Sequence, residues 1–345
     1  VLVGLGCGHI GGAVVVAVHR VQHTDTRRQR PFHALAPSHY RRPVARTPAR
    51  PGTHLLLAAA GVLLLAACSA PAPRPVARTE RPTVVAFIAA FGTCDEGQSA
   101  VADMVDSWHA DAVVTGGDNT QGVEGCLPYT RSVEPSYGDY LAADPPRFFP
   151  ALGNHDYTDP GAGLAAYSAA FPHVPTDDDP QGRWYDQTIG DITVFVLDSE
   201  APPQHQVTQQ RWLEDTLTEA AATAPDTWRL VVFHRPAHSS GHHGSHAPMQ
   251  EAAGWELQDW GADLVLNGHQ HIYEEVLVDG LHHVTAPTGA LGTVRECPAE
   301  LVPQSRVCIE GAGALRLTAT SQTLHVELHL ADAPDTAADR ITLHR

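Results

Sequence analysis

The sequence predicts an α/β fold with a polar site at the ends of its strands. Short apolar runs rich in β-branched residues alternate with stretches whose apolar residues recur at helical spacing. Four of the runs stop at clusters of Asp, Asn or His. The chain has 345 residues, of which 43% are hydrophobic and 18% charged. This composition suits one large domain or two small ones and argues against bulk disorder, collagen or a coiled coil.

The predicted elements follow in order from residue 83. Helical spacing predicts helices over residues 101–108, 207–222 and 248–260. Between two of the strands, Gly190 and Asp191 are typical of a hairpin turn. The strands are predicted at 83–91, 111–115, 148–152, 184–189, 192–197, 230–233, 263–266, 314–320, 324–330 and 341–344.

The polar clusters lie directly after four of these strands. In chain order they are Asp118-Asn119, Asn154-His155-Asp156, His234, and His269 with His271. Ligands in open α/β sheets bind at the carboxyl ends of the strands, so we expect the clusters to meet in one crevice. Oxygen and nitrogen ligands without thiolate are typical of hard-to-borderline divalent cations. The sequence therefore predicts a metal site.

Each of these residues also has a purely structural interpretation when it is taken alone. Gly-Asp-Asn is good turn chemistry, so Asp118 could be a turn residue, and Asn154 could occupy a left-handed turn position. His234 could simply mark the end of a strand. Taken together in one crevice, the residues favour a functional site.

The amino-terminal part of the chain predicts export. Residues 55–65 form a short apolar run after several Arg, which is the pattern of a signal peptide. The run ends in Leu65-Ala66-Ala67-Cys68, which resembles the lipobox of bacterial lipoproteins and makes Cys68 the expected lipid attachment site. The alternative is an ordinary secretory signal with a chance Cys. We expect a protein anchored to the outer face of the bacterial cell membrane, or a periplasmic one.

Three regions follow from this interpretation. Residues 1–67 are a leader, in which 1–43 do not fit a signal peptide and Val44 is a candidate true start. Residues 68–82 are a Pro/Ala-rich tether, and 83–345 form the folded domain. The leader carries eight of the 22 basic residues and one of the 39 acidic ones, although the net charge of the chain is −17. The folded domain is therefore strongly acidic, which excludes nucleic acid as a partner.

Four Cys lie in the folded domain, an even number for an exported protein. Two disulfides are expected there, with three connectivities open. Free buried thiols are the alternative. Nearness in sequence favours Cys297–Cys308, which leaves Cys94–Cys126.

The order of the motifs, strand–GD, strand–GNHD, strand–H and strand–GHxH, resembles the calcineurin-like metallophosphoesterases. Within them the likeness is to purple or tartrate-resistant acid phosphatases and their bacterial relatives. It covers about residues 83–345, and it is strengthened by the runs FHRPAHSSG and GADLVLNGHQHIYE. The resemblance implies a four-layer α-β-β-α sandwich with two central mixed sheets.

The resemblance also implies roles for individual residues. Asp118 would bridge two metal ions. Asn154, His234 and His269 would complete the second metal site, and His271 would bind the first. The implied cofactors are Fe, Mn or Zn, as one ion or two.

The implied reaction is hydrolysis of a small phosphomonoester. His155 would face the substrate phosphate and protonate the leaving group, and Asp156 would orient its ring. His243 matches a substrate-binding His of the family, whereas His242 and His246 in the same Ser/Gly loop are expected to be solvated.

One departure from the family pattern bears on activity. The family has an Asp where this chain has Ala90, a His at Gly92, and, in purple acid phosphatases, a Tyr at Gln121. The first metal site then keeps only two ligands unless Asp95 replaces the missing one, and three protein ligands plus water is the usual minimum. The alternatives are a weakened or inactive metal-binding surface lipoprotein, or a phosphodiesterase or nucleotidase on the same fold.

Overall fold

The computed structural model describes residues 81–123, 126, 129–157 and 164–345. These residues belong to one compact unit. The leader, the lipid attachment site Cys68 and nearly all of the tether lie outside the described residues, so those predictions stay predictions.

The strands come in chain order, and every label below refers to this list. They are β1 (Thr83–Ile88), β2 (Ala112–Thr115), β3 (Phe148–Pro150), β4 (Tyr185–Ile189), β5 (Ile192–Val196), β6 (Trp228–Val232), β7 (Leu264–Asn267), β8 (Tyr273–Val278), β9 (Leu281–Thr285), β10 (Ser305–Ile309), β11 (Gly313–Ala319), β12 (Thr323–Leu330) and β13 (Ala337–His344). The helices are α1 (Glu96–Ser107), α2 (Tyr129–Ser132), α3 (Glu134–Leu141), α4 (Ala165–Ala170) and α5 (Pro203–Thr223). Single 3₁₀ turns occur at Asn154–Tyr157, Ala247–Met249, Glu251–Ala253 and Leu291–Thr293.

The strands form two mixed sheets. The first has the order β13-β12-β11-β1-β2-β3 and the second the order β10-β8-β9-β7-β6-β5-β4. In the first, β1, β2 and β3 are parallel to one another, and in the second β5, β6, β7 and β9 are parallel. The remaining pairs are antiparallel.

Alternating side chains place the second sheet between two cores. In β6, Leu230 and Val232 belong to the large core that lies between the two sheets, whereas Val231 packs with Leu213 and Leu217 of α5 on the outer face. This is the period of two expected of a strand that is buried on both faces. Helices α1 and α3 pack on the first sheet and α5 on the second. The predicted α-β-β-α sandwich is therefore confirmed.

One predicted helix is wrong. Residues 248–260 form only short 3₁₀ turns, at Ala247–Met249 and Glu251–Ala253, and are otherwise non-helical. Gly254 takes a left-handed φ of 89°, so a continuous α-helix is interrupted there. The sequence analysis also missed strands β8, β9 and β10, whose polar and His-containing faces hide the apolar alternation.

Both disulfides are present, with the pairing that nearness in sequence favours. Cys94 is bonded to Cys126 and Cys297 to Cys308. The first bond ties the loop after β1 to the segment before α2. Within the described part of the chain, no helix combines the length and the apolar character needed to cross a membrane.

Candidate metal centre

A polar cleft of about 460 Å³ opens where the parallel strands of both sheets end. Loops after β2 and β3 form one wall, and the loops after β6 and β7 form the other. The cleft is lined by Asp118, Gln121, Asn154, His155, His243, His269, His271, Gly292, Thr293, Val294 and Arg295. The predicted convergence of the strand ends is thus seen in the structure.

Four predicted ligands meet at the floor of this cleft around the buried ring of His234. Its Nε2 lies 3.2 Å from Oδ2 of Asp118, 3.2 Å from Oδ1 of Asn154 and 3.1 Å from Nδ1 of His269. We call these four residues the metal centre. Although they come from four separate loops, their ligand atoms point to one place.

The chemistry of these atoms fits a cation. Nδ1 of His234 lies 2.7 Å from the carbonyl oxygen of Gly116, which can only accept, so Nδ1 carries the hydrogen. In the neutral ring, Nε2 is then an acceptor that faces the oxygens of Asp118 and Asn154, which are acceptors too. Such a group is stable only around a proton or a metal ion, and hydrogen bonding of the remote ring nitrogen to a carbonyl is typical of metal-binding His.

The carboxylate of Asp118 is held from a second side. Its Oδ1 accepts a hydrogen bond of 2.8 Å from the backbone N–H of His155. Burial alone would raise the pKa of Asp118, but His234 and this N–H lower it to about 2. A Cβ atom at Gly153 would lie 2.3 Å from the same oxygen, so the GNHD motif needs its glycine to let Asp118 approach.

The backbone at the site is in an uncommon conformation. Asp118, His269 and His271 have φ values of 55°, 72° and 60°, in the left-handed region. Each costs about 1–3 kcal/mol for a residue other than glycine, and such residues cluster at functional sites. The strain turns these side chains away from the strand direction and into the cleft.

The two His after β7 have different surroundings. Burial, together with His234 and Arg235, lowers the pKa of His269 to about 2, so its ring is neutral. His271 lies in the cleft wall, outside the four-residue metal centre. Its Nδ1 lies 2.7 Å from the carbonyl oxygen of Thr293, which leaves Nε2 free to act as a ligand.

Asp156 holds the loop that carries Asn154 and His155. Its Oδ2 accepts hydrogen bonds from the backbone N–H of Gly153 at 2.8 Å and from the side chain of Asn119 at 3.1 Å. Its Oδ1 accepts one of 3.0 Å from the Tyr129 hydroxyl. Burial and the charge of Asp118 raise the pKa of Asp156 to about 7. These contacts add a loop-holding function to the predicted orientation of His155, which stays a prediction.

His243 stands over the metal centre on the loop after β6. Its ring centroid lies 4.3 Å from that of His269. Its backbone N–H donates to Oε1 of Gln270 at 2.9 Å, and the amide of Gln270 donates back to the Gly244 carbonyl at 2.8 Å. The carboxylate of Glu274 accepts from Ser239 and Ser240 at the start of the loop. The sequence analysis missed Gln270 and Glu274, because these contacts join residues that are far apart in the chain.

The end of β1 differs from the other strand ends. Ala90 is buried, its N–H donates to the Gly117 carbonyl at 3.0 Å, and its carbonyl accepts from Thr288 at 2.9 Å. A Cβ atom at Gly92 would lie 2.3 Å from the Cα of Thr120, so this backbone has no room for a His there. Neither position supplies a ligand atom.

Asp95, the alternative ligand considered for the first metal site, is engaged elsewhere. Asp95 is exposed and caps α1, where its side chain accepts from the backbone N–H of Gln98 at 2.8 Å. It is not among the residues that line the cleft. Gln121, at the position of the family's Tyr, does line it, and its buried Nε2 has no hydrogen-bond partner among the described residues.

Comparison with known proteins identifies the family of the chain. The sequence profile of the calcineurin-like phosphoesterases matches residues 90–273. Purple acid phosphatase 17 of Arabidopsis thaliana is 24% identical over 195 residues, which cover 48% of this chain and 54% of that protein. The chain thus spans about half the length of that curated relative.

Two solved structures share the fold. GAP50, the anchor in the inner membrane complex of Plasmodium, superposes with a TM-score of 0.59 at 16% identity, covering 77% of this chain and 89% of that one. A purple acid phosphatase from yellow lupin (Lupinus luteus) seeds also has a TM-score of 0.59, at 18% identity, covering 76% of this chain and 54% of that one. The profile match extends over more than half of the chain and includes every ligand of the metal centre. The chain therefore belongs to the calcineurin-like phosphoesterase family.

Proposed function

We propose that this chain is a metal-dependent phosphatase that hydrolyses small phosphomonoesters. The observation that carries the proposal is the metal centre, in which His234, Asp118, Asn154 and His269 converge at the floor of an open polar cleft. Imidazole, carboxylate and amide ligands suit Fe, Mn or Zn. A cation held there would supply Lewis-acid activation of water and of the phosphoryl oxygens.

The residues of the cleft wall would do the rest. Arg295 lines the cleft and offers a positive charge to a phosphoryl group. His155 and His243 line opposite walls of the same cleft. Hydrolysis breaks the bond between phosphorus and the ester oxygen, and the leaving alkoxide must take up a proton. We assign the delivery of that proton to His155, and its support is a backbone N–H that donates to Asp118 and a loop that is held by Asp156.

The test is hydrolysis of an aryl phosphate by the purified chain, loaded in turn with Mn, Fe and Zn from acidic to neutral pH. Replacement of His155 by Ala should lower kcat by about 10²–10⁴-fold, the usual contribution of a general acid, and leave metal content unchanged. His242→Ala, in the exposed part of the His243 loop, is the matched control and should keep its activity. An unchanged kcat in His155→Ala would refute the assignment, and preference for an aryl diester would point to a phosphodiesterase.

A second function is favoured by Ala90. With no ligand atom at the end of β1, the first metal site has only Asp118 and His271. A protein of this fold that binds metal but turns over slowly would serve as a surface-binding protein, and GAP50 is described as an anchor. This function is supported if the chain retains metal but hydrolyses each phosphate ester tested no faster than metal-free buffer does.

We also propose that the protein is exported and attached to the membrane through a lipid on Cys68. The apolar run before Cys68 and the two disulfides support this, since disulfides persist in oxidising compartments. Cys68→Ala should move the protein from the membrane fraction to the soluble fraction. Membrane association that is unchanged in this variant would overturn the proposal.

A further inference from the structure

A second group of metal-ligating side chains lies outside the metal centre. His238, Glu251 and His283 offer ligand atoms that all lie within 4.8 Å of one another. Nε2 of His238 is 3.2 Å from Oε2 of Glu251, and the ring centroids of His238 and His283 are 5.1 Å apart. We call these three residues the outer-face cluster. It shares no residue with the metal centre.

The cluster lies on the outer face of the second sheet. His283 is in β9, two residues after Leu281, which packs in the outer core with α5, whereas the next residue, Val284, packs between the sheets. His238 is in the loop after β6, and Glu251 begins a 3₁₀ turn. Three separate segments thus bring their ligand atoms together, as they do in the metal centre.

The ring of His283 is buried and its two nitrogens are left unsatisfied by the described part of the chain. Its side chain is 2% exposed, and both ring nitrogens are buried without a hydrogen-bond partner among the described residues. A buried polar group left unsatisfied is costly, and native proteins have few of them. Burial, followed by the nearby His238 and His282, lowers the pKa of His283 to about 3, so the ring is neutral and keeps a lone pair for a ligand bond.

The chemistry of the cluster is that of a zinc site. Two imidazoles and one carboxylate, with a fourth position left open, form a common three-residue ligand set for Zn²⁺. A cleft of about 270 Å³ leads to Glu251 and His283, and its other lining residues include Glu256, Asp259 and Asp279. These acidic side chains attract cations and mark a route by which one can reach the buried ring.

We propose that His238, Glu251 and His283 bind a divalent transition metal ion, with Zn²⁺ as the best match, separate from the metal centre. The ion would satisfy His283 and fix the segment from His238 to Glu251 to the face of the second sheet. That segment contains His243, whose ring stands over His269. The outer-face ion would therefore help to keep the wall of the cleft in place, without contact with the substrate.

The experiment uses the full chain with His234→Ala, in which the metal centre has lost its central ligand. The protein is incubated with Zn²⁺, dialysed and analysed for metal. We expect His234→Ala to retain zinc, and expect the added change His283→Leu to weaken zinc binding by at least about tenfold. His282→Gln is the matched control, because His282 neighbours His283 but hydrogen-bonds Glu275 on the other face, and it should bind zinc like the parent.

A second variant guards against misfolding. The Glu251 side chain is 42% exposed, so Glu251→Gln should fold normally and still bind zinc at least about tenfold more weakly. Co²⁺ in place of Zn²⁺ gives a visible absorption band when nitrogen and oxygen ligands surround it tetrahedrally. In the chain that carries His234→Ala, this band should disappear when Glu251→Gln is added. The proposal is overturned if His234→Ala retains no zinc, or if Glu251→Gln and His283→Leu bind it as tightly as the parent.

Discussion

The two halves of the cleft differ in what their strands present at their carboxyl ends. At β3, β6 and β7 the chain supplies Asn154, His234 and His269, all aimed at one point and joined by Asp118 from the loop after β2. At β1 it supplies Ala90, whose backbone is tied to Gly117 and Thr288. The residues that the family pattern assigns to the second metal site all converge, whereas the end of β1 supplies no ligand atom to the first. We call these two parts of the cleft the complete half and the incomplete half.

The largest effect is expected when the central ligand of the complete half is removed. His234→Ala should empty the metal centre, and should lower the rate of phosphate ester hydrolysis by about 10³-fold or more if about 4 kcal/mol of transition-state stabilisation is lost. Elemental analysis of the dialysed protein, loaded with Mn or Fe, measures the metal. His344→Ala, an exposed His at the end of β13, is the control. An unchanged metal content in His234→Ala would show that the ligand assignment is wrong.

The opposite change would repair the incomplete half. Ala90 has a φ of 50°, a conformation that Asp and Asn tolerate better than most residues. Ala90→Asp should therefore accept the backbone, bind a second metal ion and raise kcat by about 10²-fold if the recovered interaction is worth about 3 kcal/mol. Metal counting and kcat with Mn, Fe and Zn measure both effects.

Ala90→Asn separates charge from size in that experiment. It has the same shape as Ala90→Asp but lacks the anionic carboxylate, so it should gain much less metal and activity. If the natural chain already holds two ions in the cleft at full activity, another group must supply the ligand that Ala90 lacks. The first metal site would then be intact. If Ala90→Asp gains neither metal nor activity, the end of β1 does not face the first site.

The tight packing beside the incomplete half can be tested through stability. A Cβ atom at Gly92 would meet the Cα of Thr120 at 2.3 Å and the carbonyl oxygen of Asn119 at 2.5 Å, both in the backbone. Gly92→Ala should lower the free energy of unfolding by about 1–3 kcal/mol, as overpacking usually does. Gly138→Ala in α3 is the control, since its added Cβ would meet its nearest atom at 4.0 Å. Equal stability of the two variants in urea would contradict the close packing.

The last test concerns the pH dependence of stability and a buried carboxyl group, Asp198. Burial raises the pKa of Asp198 to about 7, although Tyr157 hydrogen-bonds to it. Between its unfolded pKa of 3.8 and about 7, the folded chain holds a proton that the unfolded chain has released. The free energy of unfolding therefore falls as pH rises through this window, by about 1.4 kcal/mol per pH unit from this group.

Asp198→Asn removes that dependence, because Asn resembles the protonated acid at every pH. The free energy of unfolding of Asp198→Asn minus that of the natural chain should increase between about pH 5 and about pH 7, because only the natural chain loses stability in that window. Urea unfolding at several pH values measures the difference. Glu214→Gln, an exposed change of the same charge on α5, should leave the pH profile parallel to that of the natural chain. A parallel profile for Asp198→Asn would refute the raised pKa.

Local sequence patterns were enough to predict the α/β fold class and the convergence of the ligands, and the resemblance to the family supplied the four-layer sandwich. Apolar strands followed at once by Asp118, Asn154, His234 and His269 carry both kinds of information in a few adjacent residues. The helix predicted at 248–260 is wrong because its helical spacing takes no account of Gly254, whose left-handed φ ends a helix. The spacing of apolar residues does not predict a helix where a left-handed backbone conformation prevents one.

Side-chain hydrogen bonds between residues far apart in the chain could not be predicted from the sequence. Asn119 donates to Asp156 across 37 residues, and Glu274 holds Ser239 across 35. Nothing in the local sequence distinguishes these polar residues from solvated ones. His283 lies in a strand that the apolar pattern did not reveal, so its meeting with His238 could not be anticipated either.

The left-handed backbone at Asp118, His269 and His271 limits the substitutions that these positions can accept. Val, Ile and Thr at these positions would be rejected by the backbone before any question of chemistry arises. In a saturation library selected only for folding, and not for hydrolysis, the survivors should be enriched in Gly, Asn, Asp and His. A chain under no selection for hydrolysis would thus still draw many of its accepted residues from among those that bind metal.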